Sequence, residues 1–465
     1  MNTQTSLNSS VRQMEPIAVE NLLINFTTEF HRIWDNTGSK SKPGSFWRPT
    51  PAPDLLPGYF PLGDLVVAGR DNINDKQVMA VVREGEGDPQ NAGTGKGPAL
   101  SKPDDYQLIW SDSGSRANGD CSVWRPIPPE GYVALGMVCS NDGSKPSFNA
   151  VRCVRADLVV ASSANALIWS DKGSGADRDF STWSIKPATA PAGEILFAPG
   201  TFIGVRGYSK PEAPMTAYTL RMPIPLQVET PPAAPILTGL DADAALPPSK
   251  VTQVARLPWF AVSDPVMSSL VQLRHSPFYR MERTDRYLLV GQATNSTDAH
   301  QAFRWKARRA QSFEMMRAFT RNTGIDIGNQ WPSAMNTTQP VIACSARLGD
   351  SFCNTESAPY EWANASEAEV IALVAQKRFA AVYLMQSDYR LLREDGSQVE
   401  GHLSYTDMDS LHLADYPSEP VPVEKPKTEP EHQPAVEPPA QQPTVEPQVD
   451  PQPSAESAVV TDTAP

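Results

Sequence analysis

The sequence predicts an all-β fold, and the main evidence is a pattern that occurs three times. Variants of Ile-Trp-Ser-Asp-x-Gly-Ser begin at Ile33, Ile109 and Ile168. A second tryptophan follows each copy: Trp47, Trp124 and Trp183. Between the copies lie short β-branched or alternating runs bounded by Gly, Asn, Asp or Pro, which is typical of strands. Three copies of one pattern predict three copies of one structural unit.

The repeats are expected to share one hydrophobic core. Units of about 60 residues are too small to bury a core alone, so they should pack around a pseudo-threefold axis, as in a β-prism or a β-trefoil. The strand lengths and the placement of the tryptophans favour a β-prism-like domain over residues 21–226. The tryptophans themselves are interpreted as core or sheet-face residues.

Three loop residues are the candidate ligand-binding residues. Asn36, Asp112 and Asp171 occupy matching positions after the first tryptophan of each repeat. Because Asp, Ser and Gly are typical of tight turns, one interpretation gives these loops a purely structural role. In the other interpretation, the three loops surround the axis and these side chains accept sugar hydroxyls or orient a cation.

The repeats resemble a known family. Residues from about 30 to 225 are similar to the domain of the vacuolar protein sorting-associated protein 62 family. The resemblance rests on the repeated Ile-Trp-Ser-Asp-x-Gly-Ser and on three further motifs, at 122–132, 151–158 and 197–202. This resemblance implies no reaction, because the family is defined by sequence and a sorting phenotype.

Residues 227–250 are rich in proline and alanine and predict a linker to a second, mainly β domain over residues 251–416. One helix is predicted there, starting at the capping-box sequence Ser366-Glu367-Ala368-Glu369 and continuing with an apolar stripe through Val370, Leu373, Val374, Phe379 and Val382. The segment from Phe319 to Ile325 is interpreted as a strand.

The second domain resembles bacterial insecticidal crystal-toxin-type, aerolysin-like β proteins. The similarity rests on the Leu-Pro-Trp opening at Leu257, on Phe303-Arg304-Trp305 and on the Tyr-Arg-Leu-Leu-Arg-Glu-Asp-Gly run from Tyr389. The resemblance implies a recognition head joined to a β body that inserts a hairpin into a membrane. That hairpin is expected between Ser312 and Cys353.

The chain ends are predicted to lack a packed core. Residues 1–20 are polar and aperiodic and are interpreted as a flexible arm, without the apolar stretch of a secretory signal. Residues 417–465 form an acidic, proline-rich tail that we expect to be disordered. We therefore expect a protein that is cytoplasmic as synthesised, and release by a route without a classical signal peptide remains open.

The charge and the cysteines narrow the choice of partners and compartment. A net charge of −13 argues against nucleic acid as a partner, since binding phosphates needs a basic face. Cys121, Cys139 and Cys153 are predicted to be buried, unpaired residues. Pairing of Cys344 with Cys353 is left open, depending on the compartment.

No catalytic, cofactor or metal motif was found, so the sequence predicts a protein that is not an enzyme. We expect a non-catalytic, toxin-like protein that targets a membrane surface or a glycan, with a homo-oligomer on the membrane as one option. The alternative is an intracellular trafficking or scaffold protein of the vacuolar-sorting type, with the proline-rich tail as its partner-binding segment. An enzyme with an unrecognised site is the third and least favoured hypothesis.

Overall fold

The computed structural model describes residues 14–85, 96–212, 217–308, 313–332, 342–353 and 367–417. Strands hold 46% of the described residues and helices 7%, so the predicted all-β class is confirmed. The described residues all belong to one compact unit. The predicted disordered tail beyond Pro417 and most of the predicted N-terminal arm lie outside the described residues.

The first 18 strands carry the three repeats. Repeat 1 and the strands before it contain β1 (Ile17–Val19), β2 (Leu22–Thr27), β3 (Phe30–Asp35), β4 (Gly44–Pro49), β5 (Phe60–Pro61), β6 (Leu65–Ala68) and β7 (Met79–Glu84). Repeat 2 contains β8 (Leu100–Ser101), β9 (Asp105–Ser111), β10 (Ser122–Ile127), β11 (Tyr132–Val133), β12 (Val138–Ser140) and β13 (Cys153–Arg155). Repeat 3 contains β14 (Val159–Ser170), β15 (Phe180–Lys186), β16 (Glu194–Phe197), β17 (Ile203–Arg206) and β18 (Ala217–Pro223).

The same antiparallel pairing occurs in each repeat. The first strand with its tryptophan pairs with a central strand, which pairs in turn with a third, giving β3-β4-β6, β9-β10-β12 and β14-β15-β17. A short strand after a left-handed glycine then pairs with a later one, as β5 with β7, β11 with β13 and β16 with β18. The prism arrangement of these sheets stays a prediction.

The second half of the chain forms a long antiparallel sheet. The strands of this half of the chain are β19 (Leu226–Val228), β20 (Lys250–Pro258), β21 (Phe278–Thr294), β22 (Gln301–Arg308), β23 (Cys344–Arg347), β24 (Glu367–Val374), β25 (Phe379–Leu392) and β26 (Leu403–Tyr416). The main sheet has the order β19-β20-β21-β25-β26, and β22 and β24 pair in a separate two-stranded ladder. The helices of the described residues are α1 (Ser269–His275), α2 (Phe313–Thr323) and α3 (Asp350–Cys353).

The helix predicted from Ser366 is wrong, because its residues form strands β24 and β25. Val370 and Val374 are buried while Ile371 and Leu373 are 51% and 60% exposed, which is the two-residue period of a strand. Apolar side chains on both faces also satisfy a helical spacing, so the pattern is ambiguous. The pairing of residues 367–374 with β22, a strand distant in sequence, determines that they form a strand rather than a helix.

The strand predicted around Phe319 is also wrong, because this segment ends helix α2. Gly324 follows the helix with φ of 74°, a conformation that suits a glycine after a helix C-terminus. The Gly324 N–H donates to the carbonyl of Thr320 at 2.8 Å. The described parts of 312–353 thus contain α2, β23 and α3 rather than the alternating hairpin that was expected there.

The two halves share one hydrophobic core. Phe26 and Phe197 of the repeats pack with Trp259 and Phe260 of the second half, with ring centroids 4.7–6.4 Å apart. Strand β23 also extends the sheet of repeat 3 by pairing with β16. The proline-rich segment 227–250 packs as well, since Tyr383 donates its hydroxyl to the carbonyl of Ala242 at 2.8 Å.

Candidate functional site

The first tryptophans of the three repeats meet in one cluster. The ring centroids of Trp34, Trp110 and Trp169 are 6.0–6.2 Å apart in all three pairs, with edge-to-face geometry. Such edge-to-face contacts are favourable between aromatic rings. The second tryptophans lie instead in separate clusters, one for each repeat. Burial of all six confirms their interpretation as core residues.

The indole N–H groups connect the repeats in a closed circle. Trp34 of repeat 1 donates to the carbonyl of Gly119 in repeat 2 at 2.7 Å. Trp110 of repeat 2 donates to the carbonyl of Arg178 in repeat 3 at 3.0 Å. Trp169 of repeat 3 returns to the carbonyl of Lys42 in repeat 1 at 2.8 Å. Each loop that follows a first tryptophan is therefore held by the indole of the preceding repeat.

The candidate ligand residues Asn36, Asp112 and Asp171 lie inside these loops, with exposed fractions of 0%, 5% and 1%. In each loop a side-chain oxygen accepts a backbone N–H across the turn, at 2.8–2.9 Å. These bonds close the turns, as the structural interpretation of the sequence expects. Ligand binding by the three side chains stays a prediction, but their polar atoms are engaged within the loops.

Burial also affects the two carboxyls of this set. It raises the pKa of Asp112 and of Asp171 above the ordinary value, and hydrogen bonds from the backbone only partly oppose that effect. Asn36 makes the same turn bond with an amide oxygen that carries no charge. The loop geometry therefore depends on an acceptor oxygen at this position rather than on a negative charge.

An open groove lies between repeats 1 and 2, and its counterpart between repeats 2 and 3 is closed. Arg206 closes the latter by donating to the carbonyls of Ile109 at 2.9 Å and Leu108 at 3.4 Å. The strand registers place Asn141 of repeat 2 at the position of Arg206. The shorter asparagine makes no such contact with repeat 1.

The resulting polar groove has a volume of about 530 Å³. It is lined by Arg32, Ile33, Trp34, Asp35, Thr37, Asn118, Gly119, Asp120 and Asn141. The side chains of Asn118, Asp120 and Asn141 are exposed, and none of them makes a hydrogen bond within the described part of the chain. The groove thus presents the amides of Asn118 and Asn141 and the carboxylate of Asp120 without hydrogen-bond partners among the described residues.

The Asp35 carboxylate supplies a further charge in the lining of the groove. Its carboxylate accepts from the N–H of Thr37 at 3.0 Å and forms an ion pair with Arg32 at 3.1 Å. Burial alone would raise the pKa of the Asp35 carboxyl, but the Thr37 hydrogen bonds and the Arg32 charge lower it overall. Asp35 is therefore ionised and fixed in position near neutral pH.

Sequence reasoning missed Asn118, Asp120 and Asn141, because each looks like an ordinary loop residue. One signal was present in the repeats themselves. When the third strands are aligned by their tryptophan partners, Asn141 stands where repeat 1 has Ala68 and repeat 3 has Arg206. Because the residue at this interface position differs between the repeats, the interfaces between neighbouring repeats are expected to differ as well.

The cysteines and acidic residues form no second site. Cys121, Cys139 and Cys153 are buried free thiols, as predicted, and Cys344 is also free. Burial raises the pKa of the Cys153 and Cys344 thiols to about 12, which keeps them protonated and unreactive. Among the described residues, no group of three or more His, Cys, Asp or Glu side chains could hold a metal ion. No helix of the described residues is long and apolar enough to cross a membrane.

These features define a mainly β protein with a threefold-repeated N-terminal domain. Residues 9–222 match the model of the family described as vacuolar protein sorting-associated protein 62, so this part of the chain is similar to that family. The resemblance predicted for residues from about 30 to 225 is therefore confirmed. No curated protein matches the chain.

Two solved structures are similar to parts of the chain. The crystal structure of GNIP1Aa from Chromobacterium piscinae is 23% identical, covers 43% of this chain and 37% of its own, and has a TM-score of 0.35. The crystal structure of Cry35Ab1 is 9% identical, covers 86% of this chain and 91% of its own, and has a TM-score of 0.34. TM-scores this low carry no argument about function.

Proposed function

We propose that the chain is a non-catalytic targeting protein whose repeat domain recognises carbohydrate through the polar groove. The observation that carries this proposal is the difference between two equivalent interfaces. One is filled by Arg206, and the other is open and lined by Asn118, Asp120 and Asn141. Polar side chains without internal partners are available to a ligand at no cost in broken protein hydrogen bonds.

The chemistry of the groove suits a sugar. A carboxylate offers two acceptor oxygens, and each amide offers both donors and an acceptor, so together they complement adjacent hydroxyl groups that donate and accept at once. Ile33 adds an apolar surface against which the C–H face of a sugar ring can pack. The Asp35 and Asp120 carboxylates in the groove further favour a neutral ligand over an anionic one there.

The test is a glycan array with the full-length chain and two triple variants. The first replaces Asn118, Asp120 and Asn141 with Ala and removes the free polar groups of the groove. The matched control replaces Asp54, Gln107 and Asn149 with Ala, which are also one carboxylate and two amides on exposed positions elsewhere. We expect the wild type and the control to bind the same glycans and the groove variant to lose them.

Equal binding by both variants would overturn the groove as the site. Absence of binding by the wild type to any glycan would overturn carbohydrate as the ligand. Circular dichroism and urea unfolding of each variant show whether a loss of binding reflects a loss of fold.

Membrane attachment is a second candidate function, and the β22–β24 ladder favours it. Its outer face exposes Ile371 and Leu373 on β24, which pair with Arg304 and Ala302 of β22, respectively. Exposed apolar side chains next to each other on a strand mark a contact surface for a partner or a lipid. Liposome co-sedimentation and dye release with the wild type and with Ile371→Ser/Leu373→Ser test it. Unchanged lipid binding by that variant would exclude the ladder as the attachment surface.

A further inference from the structure

The three repeats differ at one pair of matched positions, of which one lies on the second strand and the other immediately before the third strand. Arg48 follows the second tryptophan of repeat 1, and Arg125 and Ser184 occupy its place in repeats 2 and 3. The registers that pair Trp47 with Leu65, Trp124 with Val138 and Trp183 with Ile203 fix the partner position. That position holds Asp64, Met137 and Phe202, respectively.

In repeats 1 and 3 neither of the two positions carries an unpaired charge. Arg48 and Asp64 form an ion pair at 2.9 Å, and Asp64 is fully buried. In repeat 3 both positions are uncharged, since Ser184 bonds to the backbone of Ala166 and Phe202 is buried. Repeat 2 alone keeps the arginine without the carboxylate.

Arg125 is consequently a cation without a partner. No hydrogen bond, ion pair or aromatic contact joins its side chain to any described residue. It is half-buried, and burial lowers the pKa of its guanidinium with no carboxylate to oppose the effect. A half-buried charge of this kind is unfavourable until an anion reaches it.

Arg125 lies at the wall of a cavity of about 580 Å³ between repeats 2 and 3. The apolar lining comes from Leu135, Met137, Ile185, Phe202 and Ile203. Glu212 also lines the cavity but makes no ion pair with Arg125. The sequence between Glu212 and Ala217 is Ala-Pro-Met-Thr and contains no carboxylate. This combination of one cation and an apolar wall is typical of a site for an amphiphilic ligand.

We propose that this cavity binds a small amphiphilic monocarboxylate, with its carboxylate on Arg125 and its apolar chain along Met137 and Phe202. The carboxylate takes the place that the Asp64 side chain has beside Arg48 in repeat 1. A guanidinium binds a carboxylate through two parallel hydrogen bonds, which gives both affinity and orientation. This site is separate from the polar groove, and it does not depend on the proposed recognition of carbohydrate.

Isothermal titration calorimetry of the full chain with octanoate tests the proposal. Octanol has the same chain without the charge, and acetate has the charge without the chain. We expect octanoate to bind at least about tenfold more tightly than either, since each lacks one of the two interactions. Equal affinity for octanoate and octanol would overturn the role of Arg125, and equal affinity for octanoate and acetate would overturn the role of the cavity.

Two variants test the site in complementary ways. Arg125→Gln removes the cation, and Met137→Asp gives Arg125 the internal partner that Arg48 already has. Both should weaken octanoate binding at least about tenfold, whereas Arg178→Gln, an exposed arginine elsewhere, should not. Octanoate should also raise the unfolding temperature of the wild type and of Arg178→Gln only. Undiminished octanoate binding by folded Arg125→Gln or by folded Met137→Asp would overturn the proposal.

Discussion

Arg48 and Asp64 form a two-pronged ion pair inside repeat 1, with Nε to Oδ1 and Nη2 to Oδ2 both at 2.9 Å. Both residues also bond to repeat 2, because Cys139 donates its N–H to Asp64 at 2.6 Å and offers its carbonyl to Arg48 at 2.6 Å. Burial alone would lower the pKa of the Arg48 guanidinium, but the Asp64 carboxylate raises it overall. The pair thus joins two repeats, and within repeat 1 it links β4 to the residue that precedes β6.

Loss of one partner of this pair should be costly. Asp64→Ala or Arg48→Met leaves a charge largely buried and unpaired, so we expect each to lower the free energy of unfolding by about 3–5 kcal/mol. The double variant Arg48→Met/Asp64→Ala should cost less than the sum of the single changes, since it leaves no unpaired charge. Urea unfolding of the three variants measures these values. Single losses below about 1 kcal/mol would contradict this account.

The loop residues Asp112 and Asp171 should respond differently to the same substitution. In Asp112→Asn the amide oxygen keeps the bond from Cys121, as Asn36 does in repeat 1, and we expect a change within about 1 kcal/mol. In Asp171→Asn an amide N–H replaces the oxygen that accepts from the Trp110 indole at 3.1 Å. We expect that variant to lose about 1–3 kcal/mol. Equal stabilities in urea would show that the Trp110 bond contributes nothing.

The pH dependence of stability should reveal the Asp112 carboxyl. Because burial raises its pKa in the folded state above the ordinary value of 3.8, the folded state holds this proton more tightly than the unfolded state. The resulting stabilisation is complete below that ordinary pKa and is lost as the pH rises through the raised pKa. Asp112→Asn should therefore gain stability relative to the wild type as the pH rises over this window. Parallel curves for the two proteins would contradict the shift.

Two glycines near the repeat contacts should tolerate no side chain. A Cβ on Gly136 would lie 2.5 Å from the Cβ of Thr201, and a Cβ on Gly63 would lie 2.9 Å from the Cα of Gly136. Overpacking of this kind typically costs about 1–3 kcal/mol, which we expect for Gly136→Ala in urea unfolding. Gly239→Ala is the matched control, because nothing lies within 4 Å of its Cβ. A control as destabilised as Gly136→Ala would refute the steric explanation.

Gly291 should determine whether the β22–β24 ladder stays docked. The ring of Trp305 lies directly on Gly291, and an added Cβ would come within 2.1 Å of Trp305 Cδ1. We expect Gly291→Ala to displace Trp305. Hydrogen exchange should then become faster in residues 301–308 and 367–374 than in the rest of the chain. Exchange that rises equally in all sheets would indicate global destabilisation instead, and unchanged exchange would show that the ladder docks without this contact.

The repeats were predictable because their signal is local. The first tryptophan, the turn with its glycine and the second tryptophan lie within one short segment, and each copy folds in the same way. The error in the helix predicted from Ser366 has the opposite cause. Residues 367–374 carry apolar side chains on both faces, so only the pairing with β22 distinguishes strand from helix.

The sequence by itself determined the all-β class, the threefold repetition of the strand pattern, the burial of the tryptophans and the turn positions of Asn36, Asp112 and Asp171. Only the tertiary structure decided which interface between repeats is open and which arginine lacks a partner. Arg206 closes its interface through carbonyls 97 and 98 residues away in sequence. Arg125 lacks the carboxylate partner that Arg48 has in Asp64, 16 residues further along the chain. Local patterns specify strands and turns, but the surface left between packed repeats depends on side chains that meet only after folding.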